Sequence, residues 1–164
     1  MNKIAVLGEK SIMCKLEPNG VIEYASSYFI ELCEYRNFEI LGKKLDLVYN
    51  SDTPRVIIDS FWNRISLKQK TTAIVKFNTK SGDYFWLRIK LDYKIDEKSR
   101  DISNIYLYGF PVHETIIKKI EEVYLHLNDL EKKSEKKQIE KIFNDFLLEK
   151  KVTFEDFFDK ILKL

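Results

Sequence analysis

Side chains able to do chemistry are few and scattered in this 164-residue sequence. The two cysteines, Cys14 and Cys33, sit in neither a CxxC pair nor a Cys/His metal spacing, and read as small buried hydrophobes. No Walker loop, GxSxG turn or zinc motif occurs. Acidic residues are spread along the chain without a pair placed for acid–base work. The sequence predicts no catalytic constellation and no metal site. It is not read as an enzyme.

Bulk composition narrows the function further. With 28 basic against 26 acidic residues the net charge is only +2, which leaves no footprint for nucleic acid or a membrane surface. A 45% hydrophobic share with 11 Phe, 9 Tyr and 2 Trp is ample for a core, and the length suits about one domain. The apolar run Ile4 to Leu7 is too short for a signal peptide, and no stretch nears the ~18 apolar residues of a membrane span. A reducing cytoplasm is the expected compartment.

The elements that position these side chains are legible from period and punctuation. Ile12, Cys14 and Leu16 alternate as a strand. Pro18-Asn19-Gly20 turns the chain, and Val21 to Ala25 returns as the second strand. Ser26 and Ser27 stand ready to cap a short helix carrying Phe29, Leu32 and Cys33. A further helical turn follows Asn37 and stops at Gly42. After the loop Tyr49 to Pro54, a longer helix presents Ile58, Phe61, Trp62 and Ile65 on one face, with Thr53 as its expected N-cap. Three strands follow: Thr72 to Asn78, Phe85 to Ile95, and Ile102 to Val112. In the middle one Phe85, Leu87, Ile89, Leu91, Tyr93 and Ile95 share a dry face, whereas Trp86, Arg88 and Lys90 share a wet one. This order predicts an α+β fold, a five-stranded antiparallel sheet with short helices on one face.

From His113 the pattern becomes helical. Ile116, Ile120, Val123, Leu127 and Leu130 form a narrow seam, compatible with a dimer helix or with a helix folded back on the sheet. Ile139, Ile142, Phe143, Phe146 and Leu147 make a second stripe. Thr153 to Asp156 reads as a capping box, with Val152 and Phe157 as its staple. The last helix is expected to bury Phe157, Phe158, Ile161 and Leu162. Residues 1–10 thus form an N-terminal extension, 11–112 a domain and 113–164 a helical tail for signal transfer or dimerisation.

Residues 10–112 resemble a PAS domain. The likeness is carried by Gly20-Val21-Ile22-Glu23-Tyr24-Ala25, by Glu39-Ile40-Leu41-Gly42-Lys43 and by Gly82-Asp83-Tyr84-Phe85-Trp86-Leu87. The loop Tyr49-Asn50-Ser51-Asp52-Thr53-Pro54, followed by Trp62, is similar to the R-H-P-D-M-P loop and Trp of the Aer-type redox group of bacterial energy taxis. In build the chain looks like the small CetB/CetC-type PAS proteins of that system, which partner a separate membrane receptor.

That resemblance implies a sensory or signal-transduction module, an FAD cofactor, and a protein partner such as a membrane-bound chemotaxis receptor, together with homodimerisation. It places Trp62, Asp52, Asn50, Ser26 and Tyr49 near the cofactor. The sequence departs from the group at several of these places. Tyr49 and Asn50 stand where it has Arg and His, Ser26 where many members have Asn, and Thr71 where a second Trp is usual. Trp62 therefore has two readings, a ring beside a flavin or a ring packing its helix onto the sheet. Asp52 has two as well, a ligand acceptor or a helix cap. His113 and His126 fall outside the PAS segment, which disfavours a haem. The cysteine motif of light-driven flavin adducts is absent. The alternative function is a ligand-free adaptor that works by dimerisation and docking.

Overall fold

The β1 strand (Ile12–Leu16) turns back into β2 (Ile22–Ala25) through Gly20, which holds φ +86° in the computed structural model of residues 1–164. A Cβ at that glycine would meet the Trp62 ring at an ordinary contact distance of 3.6 Å, so it is the backbone angle that favours glycine there. Three short helical segments follow: α1 (Ser27–Cys33), α2 (Asn37–Ile40) and a 3₁₀ turn at Leu45–Val48. Gly42, at φ +81°, stands just past α2 where the punctuation predicted it. The longer α3 spans Arg55–Ser66, and β3 (Thr71–Asn78), β4 (Tyr84–Ile95) and β5 (Ile102–Phe110) complete the strands.

All strand pairs are antiparallel, in the order β2-β1-β5-β4-β3. Register puts Cys14 opposite Leu107, Leu107 opposite Leu91, and Val75 opposite Leu87. These residues belong to the face covered by α1 to α3, where Leu16, Phe29, Phe61, Phe77 and Phe85 are fully buried. The five-stranded antiparallel sheet with short helices on one face is the architecture the sequence predicts.

The tail consists of α4 (Glu114–Lys133), α5 (Lys136–Glu149), α6 (Phe154–Asp159) and a last 3₁₀ turn, Ile161–Lys163. It folds back on the sheet, the second of the two arrangements compatible with the seam. Its buried stripe is Ile117, Ile120, Tyr124 and Leu127, not the expected Ile116, Ile120, Val123, Leu127 and Leu130. The helix is rotated toward Tyr124, whose ring lies against Trp86. Trp86 is consequently 3% exposed and not on a wet face, and Lys76 opposite it is buried as well. Thr153 does accept from the Asp156 N–H, at 3.0 Å. Leu162, expected in the core, is 57% exposed because the last turn directs Ile161 inward instead.

The N-terminal residues are docked too. Ile4 N–H donates to the Tyr84 carbonyl and Tyr84 N–H to the Asn2 carbonyl, while Lys3 pairs with Glu114 at the start of α4. One continuous apolar cluster joins the sheet, α1 to α3 and the tail.

Candidate functional site

Four of the five candidate residues converge where the 49–54 loop enters α3. The Trp62 Nε1–H donates to the Tyr49 hydroxyl at 3.1 Å, and the Tyr49 ring tilts against Phe77 with centroids 5.9 Å apart. Burial pushes the Tyr49 phenol well above its ordinary range, the Trp62 hydrogen bond opposing this only in part. Asn50 donates from Nδ2 to Asn78 Oδ1 at 2.6 Å and accepts the Asp52 N–H on Oδ1 at 2.8 Å, an Asx turn that shapes the loop.

Asp52 does not cap α3. Its carboxylate accepts from Lys76 Nζ at 2.6 Å while its own side chain remains 63% exposed, so it caps no helix. The Lys76 ammonium lies 4.1 Å from the centre of the Tyr84 ring, a desolvated position that favours a carboxylate partner. Thr53 is not the N-cap of α3 either. Its hydroxyl accepts from Lys76 N–H at 2.9 Å, satisfying a donor on the free edge of β3. Ser26 stands apart at the start of α1, where its hydroxyl accepts from Met13 N–H and donates to the Ser11 carbonyl, both at 3.1 Å.

The cap of α3 comes from the tail. Glu131 accepts from Arg55 N–H at 3.1 Å and from Val56 N–H at 2.8 Å. Asn128 donates to the Asp52 carbonyl at 2.9 Å, and Lys136 pairs with Asp59 at 3.2 Å. Sequence reasoning missed Asn128 and Glu131 because a polar residue in a charged helical stretch carries no local sign of a distant backbone partner. Tyr124 was missed for another reason: its hydroxyl, donated to the Ile74 carbonyl at 2.5 Å, disguises a wholly buried ring as a surface residue.

Whether a flavin suits this place is testable on the geometry. Between the sheet and α1 to α3, Phe77 stacks on Phe85 at 5.4 Å and Phe29 stands edge-on to Phe77 at 6.1 Å. A flavin ring presents several hydrogen-bonding atoms along its edge, and a prepared site would hold polar groups awaiting them. Tyr49, Asn50, Trp62 and Asn78 instead satisfy one another. The one buried side-chain polar atom without a partner is Trp86 Nε1, on the other face of the sheet. As arranged, these polar groups are paired with one another, so a ligand that used them would first have to part the Trp62–Tyr49 and Asn50–Asn78 bonds. Beside Trp62 a groove of about 520 Å³ opens outward, lined by Pro18, Asn19, Ile65, Lys68 and Ile102. No group of three or more His, Cys, Asp or Glu side chains is placed to hold a metal ion, and no helix is long and apolar enough to cross a membrane.

No protein-family model matches the chain. It is 24% identical over 80 residues to the aerotaxis receptor of Escherichia coli (strain K12). It is 32% identical over 81 residues to phototropin-2 of Oryza sativa subsp. japonica. Each match covers 49% of this chain but only 16% and 9% of those proteins, so the chain spans a small part of the curated relatives it matches. Among solved structures, the light-state LOV domain of the blue-light photoreceptor Aureochrome1 superposes with a TM-score of 0.61 at 23% identity, over 68% of this chain and 89% of that one. The PAS domain of the fruit-fly ELK potassium channel gives 0.55 at 24% identity, over 62% and 86%. The sheet order and the helices on its inner face are the fold these domains share.

Proposed function

We propose that this chain, a PAS domain with sequence similarity to the aerotaxis receptor, is a signal-transduction module whose output is carried by its own helical tail. The observation that carries the reading is the fastening of that tail onto the loop where the family resemblance puts the sensing site. A signal that alters the loop must then alter how the tail sits, because Asn128 and Glu131 contact the loop and the start of α3 directly. A difference in tail docking between two states is what a partner reads. The partner in this reading is a membrane-bound chemotaxis-type receptor, and the chain itself works in the cytoplasm without catalysis of its own. The test is co-purification of the full chain with such a receptor, comparing the wild type with Tyr124→Ala, which loosens the tail. The reading predicts that capture differs between the two; identical capture, or none in either, overturns it.

Sensing of redox or energy state through FAD is the finer form of this reading. It is supported by the likeness to the aerotaxis receptor and by the indole of Trp62 beside an open groove. A flavin absorbance band after reconstitution of the purified protein supports it, and a colourless protein removes it.

The ligand-free adaptor is favoured by one specific observation, the mutual pairing of the candidate polar groups. In that form a second copy or a receptor docks on the half of the sheet face that the tail leaves open, where Tyr24, Tyr108 and Phe110 are exposed. A monomer in sedimentation at micromolar concentration argues against the homodimer.

A further inference from the structure

We infer that Glu131 and Asn128 of α4 form a latch that makes docking of the tail and the position of the 49–54 loop a single equilibrium. The inference rests on the reading of the tail as output element and names the residues through which the loop would act.

The first N–H groups of a helix have no partner within it, and Pro54 offers α3 no side-chain cap. Glu131 takes two of those donors, one on each carboxylate oxygen. The carboxylate also lies at the positive end of the α3 dipole, which strengthens both bonds. Three residues before it on α4, Asn128 holds the Asp52 carbonyl. Asp52 is therefore gripped from two sides, by the sheet through Lys76 and by the tail through Asn128. Farther back in the loop, Tyr49 is tied to Trp62 and Asn50 to Asn78.

All three bonds from the tail end on main-chain atoms of the loop and of the first turn of α3. A hydrogen bond weakens steeply with distance and angle, so a loop that shifts by a fraction of an ångström strips the cap and frees Asn128 together. Lys136, just beyond, loses the fixed Asp59 it pairs with at the start of α5. Loop displacement then loosens α5, and by linkage loosening of α5 must free the loop equally.

The test is backbone amide exchange on the full chain in four forms: wild type, Glu131→Ala, Tyr49→Phe and the double variant. Glu131→Ala is expected to speed exchange in residues 55–58 and in α5 by about tenfold, with β4 and β5 unchanged. Tyr49→Phe, which unties the loop from Trp62, is expected to speed α5 by about fivefold. The double variant should exchange in α5 no faster than Glu131→Ala alone, since the connection is already cut. Glu131→Gln, with one oxygen for two donors, should fall between wild type and Glu131→Ala. Additive effects in the double variant overturn the latch. So does acceleration confined to residues 55–58, or spread uniformly over sheet and tail, because Glu131 is then only a cap or a general stabiliser. Neither partner nor cofactor is present in this experiment, so its failure leaves the signalling reading standing, and a failed receptor capture leaves the latch standing.

Discussion

The ring of Tyr124 rests against that of Trp86 with centroids 6.1 Å apart, and its hydroxyl closes on the Ile74 carbonyl at 2.5 Å. Through this pair the tail turns a sheet face that looks polar in sequence into buried surface. It also satisfies a carbonyl that the unpaired edge of β3 would otherwise leave bare.

The two halves of that contact separate by mutation. Tyr124→Ala removes a wholly buried ring and is expected to cost about 3–5 kcal/mol. Tyr124→Phe keeps the ring and leaves the Ile74 carbonyl without its donor, an expected loss of about 1–2 kcal/mol. Urea denaturation followed by tryptophan fluorescence gives both values. Equal losses would show that the ring adds nothing beyond its hydrogen bond.

Gly109 marks the tightest point of the sheet. A Cβ there would lie 2.7 Å from Ile12 Cγ2 and 3.0 Å from Leu87 Cδ1, on the two strands flanking β5. Gly109→Ala is expected to destabilise by about 1–3 kcal/mol through overpacking. An unchanged denaturation midpoint would mean that β1 and β4 yield freely.

Stability should fall on the alkaline side. Burial raises the thiols of Cys14 and Cys33 above their ordinary 9.0 and the phenols of Tyr49 and Tyr124 above 10.0. Well below pH 9.0 all four are protonated in both states and contribute no slope. Above it the unfolded chain gives up protons that the folded chain keeps. Unfolding then releases protons, and stability drops as pH rises. On the acid side Glu34, Glu39, Asp96 and Glu114 are held below the usual carboxylate range mainly by hydrogen bonds. They are exposed, so their loss as pH falls is shallow. Denaturation midpoints measured from about pH 8 to about pH 10.5 check this, and a rising or flat profile contradicts it.

Period-two alternation is a local signal, and it served well where burial is set by a strand's own face. The bounds of β1 and the dry face Phe85, Leu87, Ile89 and Leu91 were both legible. Alternation failed at Trp86, because what covers that residue arrives from a helix far along the chain. The seam was placed one step off for a related reason: Ile117, Ile120, Tyr124 and Leu127 are as well spaced as the apolar set, but Tyr124 scores as half polar. At the candidate site, the sequence picked out Tyr49, Asn50, Asp52 and Trp62, which do gather in one place, and Ser26, which does not. Thr53 and Asp52 were expected to serve the start of α3. The residue that does, Glu131, sits in the run Leu130-Glu131-Lys132-Lys133, where nothing distinguishes it from a solvated charge.

The central claim is that the tail is a separately movable output element on a PAS sheet. Amide exchange of the wild-type chain tests it most directly, because each amide reports the free energy of the opening that exposes it. The account predicts that α5 and α6 exchange through an opening markedly less costly than the one that exposes β4 and β5, with the sheet still protected. If the tail and those strands exchange at one common free energy, the molecule opens only as a whole and the tail carries no signal of its own.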